Sequence, residues 1–185
     1  KRQTWTDPSN PSDIISFSID KPNKINRLTD VNKDIFYNVE FGEVEEITYK
    51  SVDEKYVQGW IVKPPNFDSN KKYPLVLRIH GGPHSMYHVG FNYNFQLHAA
   101  QDQVVLYTNP RGSTGYGYDF ANAIQNAYPG NDYDDIMYGV DEVISRGYID
   151  ENRMYVYGGS GGGVLTSWIV GCLLYTSDAA DDRMR

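Results

Sequence analysis

The sequence predicts an α/β fold with a mixed, mostly parallel sheet and flanking helices. Three observations carry that expectation. Residues 74–79 and 104–108 are short, nearly continuous apolar runs, the pattern of strands covered on both faces. Helical spacing separates and follows them, at 93–100 and 132–146. Glycine-marked turns follow predicted strands at 80–83, 109–112 and 158–163. Turns that leave parallel strands share one edge of the sheet, and open α/β sheets place their chemistry at that edge.

The chain has 185 residues, of which 40% are hydrophobic and 22% charged, ordinary values for one globular domain or a small domain with part of another. A net charge of −7 without a basic cluster argues against nucleic acid and anionic membranes as partners. No apolar run approaches the ~20 residues of a membrane span, so a soluble protein is expected. Cys172 is the only cysteine, which excludes an internal disulfide.

In chain order, 8–13 reads as turn material, and Ile15, Phe17 and Ile19 alternate with serines as on a half-buried strand. Residues 21–24 read as a turn and 25–28 as a returning strand. A lone hairpin is marginal in water, so 1–42 is expected to belong to a larger β structure. Residues 46–51 and 56–63 read as strands around a polar turn, with Pro64 and Pro65 ending the second. Residues 118–126 read as a short helix. In 132–146, Ile136, Met137, Val140, Val143 and Ile144 form one stripe. Asp132, Asp134 and Asp135 crowd its first turn, Arg146 lies in its last, and Gly147 follows as the C′ residue.

The stretch from Met154 to Leu165 carries the chemistry. It reads as a strand, a glycine-hemmed serine and a helix start, and Gly158, Ser160 and Gly162 satisfy G-x-S-x-G. A serine presented from so tight a turn has a strained backbone, and its neighbours two positions away need to lack a β-carbon. The helix start offers free N–H groups and a positive dipole end to an oxyanion. A Gly-Ser linker fits worse, because β-rich 154–157 leads in and apolar 164–170 leads out. A phosphate cradle fits poorly too: Val164 stands where G-x-G-x-x-G needs its third glycine, and no lysine follows. His80, His84 and His88 have helical metal-ligand spacing, but Gly81, Gly82 and Pro83 break any helix there.

Three motifs in order, H-G-G-P-H at 80–84, N-P-R-G-S-T-G-Y-G at 109–117 and G-G-S-G-G at 158–162, resemble the catalytic domain of the prolyl oligopeptidase family of serine peptidases. The acylaminoacyl-peptidase and dipeptidyl-peptidase-like branch is the nearest match. The resemblance covers residues 12–171. It implies the N-terminal part of an α/β-hydrolase fold at 43–171, preceded at 1–42 by the end of a β-propeller blade and linker. It implies Ser160 as nucleophile, with the backbone N–H groups of Gly161 and Gly82 as oxyanion donors. His80, Arg111, Gly158 and Gly162 become structural residues near the site. The substrate class it implies is short peptides, with no metal and no organic cofactor.

In this fold the triad order is Ser, Asp, His. All four histidines, His80, His84, His88 and His98, precede Ser160. The chain begins without Met, and its residues 172–181 have the look of a transposase sequencing adapter translated in one frame. The expectations are therefore that 172–185 is not native protein, that Asp178, Asp181 and Asp182 are not the triad acid, and that the catalytic Asp and His are absent. The chain by itself is then expected to be inactive, with 154–157 as an exposed sheet edge. The alternatives are a carboxylesterase-like α/β-hydrolase and a non-catalytic interaction protein on the same fold.

Overall fold

A computed structural model describes residues 1–176, with side chains to Cys172. The expectation that 172–185 is not native protein therefore lies largely outside the described residues; helix runs on to Thr176.

The chain opens with an antiparallel three-stranded sheet, β1 (Arg2–Asp7), β2 (Asn10–Ser18) and β3 (Lys21–Arg27), in that order. Two expectations are corrected here. Residues 21–24 are strand, because Ser18 pairs with Lys21 across a two-residue loop at Ile19 and Asp20. Residues 10–13 are strand as well, and only Pro8 and Ser9 turn. Pro22 is tolerated on an edge strand, and Pro11 beside a register shift, since neither position needs a ladder donor. Asp13 faces inward and pairs with Arg27 and Thr29.

A short helix, α1 (Lys33–Phe36), leads to a five-stranded sheet. Its strands are β4 (Val44–Lys50), β5 (Tyr56–Val62), β6 (Tyr73–Ile79), β7 (Val104–Asn109) and β8 (Ile149–Gly158). Their order is β4-β5-β7-β6-β8, the first two antiparallel and the last three parallel. The sheet is therefore mixed, as expected. Among the described residues, β8 stands at one end of that order.

Alternation along the strands fills two layers. Leu75, Leu77, Ile79 and Leu106 meet Ile136, Val140 and Val143 of α4 (Asn131–Ser145) and Leu165 and Ile169 of α5 (Gly161–Thr176). On the other face Val76, Val105 and Tyr107 pack with Phe95 and Ala99 of α2 (Tyr93–Ala99). A short α3 (Tyr118–Asn122) stops before the expected end at 126. Among the described residues no helix is long and apolar enough to cross a membrane.

Register sets the position of the turns. Ile79 lies opposite Gly158, and Arg78 opposite Tyr107. The chain therefore leaves β6, β7 and β8 at one level of one edge.

Beneath that edge lies a buried ion pair. Asp135 is 0% exposed and Arg111 6%. The Arg111 guanidinium donates to both carboxylate oxygens of Asp135, at 2.9 and 2.8 Å, and the Arg111 backbone N–H donates to one of them at 2.8 Å. Ser51 adds a donor at 2.5 Å, and Tyr49 donates to the Asp135 carbonyl at 2.7 Å. The remaining guanidinium hydrogens reach Asp53 and the Val52 carbonyl. One carboxylate thus joins the exit of β7, the start of α4 and the turn after β4. Gly139 allows the approach, since a β-carbon there would come within 2.6 Å of the Tyr49 hydroxyl.

Removing one member of such a pair leaves a buried charge uncompensated. Asp135→Ala is expected to lower the unfolding free energy by about 3–5 kcal/mol, whereas the double change Arg111→Met with Asp135→Leu is expected to recover most of it. Urea denaturation of the two variants measures the contrast.

Candidate active site

β8 ends at Gly158, the chain turns through Gly159 and Ser160, and α5 begins at Gly161. Ser160 has φ of +56°, a left-handed conformation that costs a non-glycine residue energy. The flanking glycines make the turn possible. A β-carbon on Gly158 would come within 2.6 Å of the Gly162 carbonyl group. One on Gly162 would come within 2.5 Å of the Ile79 oxygen and 2.7 Å of the His80 oxygen. Strand and helix backbones meet without room for a side chain.

The Ser160 carbonyl accepts from the N–H groups of Gly163 at 2.9 Å and Val164 at 3.1 Å, so it points into the helix. The N–H of Gly161 belongs to the same planar trans peptide and points the opposite way, out of the helix start. The H-G-G-P turn packs against it. A β-carbon on Gly161 would lie 2.8 Å from the Gly82 oxygen, and one on Gly81 would lie 3.4 Å from Cβ of Ser160. Gly82 has φ of +130°. Ser160, Gly161, Gly81 and Gly82 are thus brought together, with Gly158 and Gly162 closing the crossing behind them.

The histidine side chains are engaged elsewhere. His80 lies with Nε2 2.9 Å from Ser113 Oγ and Nδ1 2.8 Å from the Gly81 oxygen. Burial holds its imidazole below the ordinary pKa of about 6.5. His84 faces the Gly112 carbonyl, His88 accepts from the Gly90 N–H, and His98 lies between Gln103 and Tyr157. Among the described residues no histidine is hydrogen-bonded to Ser160, and no group of three or more His, Cys, Asp or Glu side chains has the arrangement of a metal site. Arg111 is committed to Asp135, Asp53 and the Val52 carbonyl.

Sequence reasoning missed three polar side chains that shape this edge. Asn109 is fully buried and grips the Tyr87 backbone, accepting from its N–H at 2.7 Å and donating to its carbonyl at 3.0 Å. That grip holds the loop after H-G-G-P. Tyr128 donates from its hydroxyl to the Gly161 carbonyl at 2.6 Å. Asp132 is 1% exposed, accepts from the Gly130 N–H, and is pushed up in pKa by burial. For Asp132 and Asp135 a signal was present. Both lie on the buried side of α4 with Ile136, Gly139, Val140 and Val143, and a carboxylate on an apolar stripe calls for a buried partner.

Residues 89–173 match the family described as "Prolyl oligopeptidase family". An uncharacterized peptidase of Bacillus subtilis is 44% identical over 167 residues, which are 90% of this chain and 25% of that protein. Dipeptidyl-peptidase 5 of Aspergillus fumigatus is 37% identical over 139 residues, 70% of this chain and 19% of that protein. The structure of Pyrococcus horikoshii acylaminoacyl peptidase superposes with a TM-score of 0.82 at 30% identity, covering 90% of this chain and 27% of the other.

The chain resembles the prolyl oligopeptidase family, by sequence over residues 89–173 and by fold over most of its length. Its five-stranded sheet and helices are those of the α/β-hydrolase fold that the family's structures share. The chain spans a quarter or less of the length of these two relatives.

Two outcomes follow from the glycine turn and the buried imidazole. Gly162→Ala is expected to destabilise by about 1–3 kcal/mol or more through forced backbone separation. Gly159→Ala, with nothing within 4 Å of its β-carbon, is expected to stay within about 0.5 kcal/mol. Thermal denaturation of the pair measures this. For His80, the folded pKa lies below the unfolded one, so the unfolded chain takes up a proton first as pH falls. Its contribution is complete above pH ~6.5 and is lost below it, by at most about 1.4 kcal/mol per pH unit. A melting series from pH 8 to 5 should show that loss, reduced in His80→Asn.

Proposed function

We propose that this chain carries the nucleophile and oxyanion elements of a serine peptidase acting on short peptides. The observation that carries the reading is the left-handed Ser160 at the strand-to-helix turn, with the H-G-G-P turn packed against the following residue. Ser160 Oγ attacks the peptide carbonyl. The carbonyl oxygen, now negative, is stabilised by the backbone N–H groups of Gly161 and Gly82, and by the positive end of α5. Collapse of the tetrahedral adduct expels the amine and leaves an acyl-serine, which water then hydrolyses. Two convergent backbone donors suit this chemistry because they are already oriented before charge develops. The peptidase names of the relatives support a peptide over a simple ester as substrate.

Attack requires a base for the Ser160 proton. With all four histidines ahead of Ser160 and hydrogen-bonded elsewhere, the 185-residue chain is proposed to lack its base and to turn over poorly by itself. The three-stranded sheet at residues 2–27 is read as the last strands of a propeller blade that restricts substrates to short peptides.

The test is a chimera in which residues 43–171 replace the matching segment of the Bacillus subtilis relative. The chimera is expected to hydrolyse a short peptide amide, and Ser160→Ala to lower its kcat by about 10⁴-fold or more. An equally active Ser160→Ala chimera overturns the reading. The isolated 185-residue chain is expected to show no Ser160-dependent turnover of the same substrate.

A further inference from the structure

The first turn of α5 is Gly161, Gly162 and Gly163. Three consecutive glycines are a poor way to begin a helix, because each loses more backbone freedom than any other residue and costs about 1 kcal/mol relative to alanine. The strained Ser160 immediately before them adds to the cost. A helix start of this composition frays unless something outside it holds it. The backbone bonds at hand are local: Gly162 donates to the Gly159 carbonyl, and Gly163 and Val164 to the Ser160 carbonyl. From outside the turn comes Tyr128, whose hydroxyl donates to the Gly161 carbonyl at 2.6 Å across 33 residues of chain.

Tyr128 is placed to act as a fixed post. Its ring packs against the core layer that contains Leu165 and Ile169. Burial, with the Asp132 carboxylate nearby, raises the pKa of the phenol, so it stays a hydrogen-bond donor at neutral pH. Its oxygen would lie 3.1 Å from a β-carbon on Gly161, occupying the space that the absent side chain leaves. The Gly161 carbonyl and the Gly161 N–H belong to adjacent peptide groups that share one α-carbon. Because that carbon is glycine's, its two torsions are unusually free, and holding the carbonyl restricts where the N–H can point.

We propose that Tyr128 is a positioning residue for the serine turn: its hydroxyl holds the first peptide plane of α5 and so aims the Gly161 N–H. The functional part of this inference rests on the reading of Gly161 as an oxyanion donor. Tyr128 bonds to the Gly161 carbonyl and works through the backbone.

The experiment is amide hydrogen exchange by NMR on the 185-residue chain and its Tyr128→Phe variant, which keeps the ring and removes the hydroxyl. Exchange at Gly162, Gly163 and Val164 is expected to accelerate about tenfold or more, with the core amides of Leu77 and Leu106 within about twofold of wild type. Unchanged exchange at 162–164 overturns the proposal. So does a uniform acceleration that includes Leu77 and Leu106, since that is mere loss of stability. In the chimera described above, the same variant is expected to lower kcat about tenfold to a hundredfold at nearly constant KM; a change in KM alone also overturns it. Failure of the nucleophile reading is recognised separately, as an active Ser160→Ala chimera, and leaves the exchange result to decide the tether.

Discussion

The site edge depends on one buried carboxylate. Asp135 accepts from the Arg111 guanidinium and backbone and from Ser51, and its own carbonyl accepts from Tyr49. Those donors lie between 24 and 86 residues away from Asp135 in the chain. A charge taken this far from water is tolerable only when its lone pairs are met by donors. The pair therefore specifies geometry more than it adds stability. It sets how α4 lies under the sheet and where the chain goes after β7. The loop that begins there carries Ser113, which meets His80 at the base of the H-G-G-P turn. The turn beside the serine is thus held, two contacts away, by a carboxylate that never reaches it.

The serine turn itself is a place of concentrated cost. Ser160 is in a left-handed conformation, three glycines begin the following helix, and Gly158 and Gly162 bring strand and helix backbones into contact. Such a segment persists because its surroundings over-determine it. β8 is anchored by its parallel ladder to β6, and α5 by Leu165 and Ile169 in the core. At the helix start the N–H groups of Gly162, Gly163 and Val164 are taken up by the Gly159 and Ser160 carbonyls, and the inward turn of the Ser160 carbonyl leaves the Gly161 N–H pointing outward.

Much of this was legible in the residues. The apolar runs at 74–79 and 104–108 became β6 and β7, and the stripe at 132–146 became α4, because continuous or periodic burial leaves a local signature. The N-terminal strands were read less well. β1 is largely polar and exposed, and it exists through backbone pairing with β2, which no side-chain pattern announces. Lys21–Arg27 is wholly exposed; its first half, 21–24, contains a proline and spoke for a turn, and edge pairing made it strand together with the residues from 25 onward that had read as one.

By itself the sequence determined that a serine would stand on a strand-to-helix turn, since only glycines at 158 and 162 permit the crossing and that requirement is written within five residues. It also determined that three glycine-marked turns would leave strand ends. The tertiary structure alone decided that β6 lies between β7 and β8, so that H-G-G-P at the end of β6 rests on the serine turn at the end of β8. It alone gave Arg111 its partner in Asp135, Asn109 its grip on Tyr87, and Gly161 its contact with Tyr128. These are bonds between residues 22 to 33 positions apart, and hydrogen bonds at that distance depend on packing, which no short-range pattern of residues encodes.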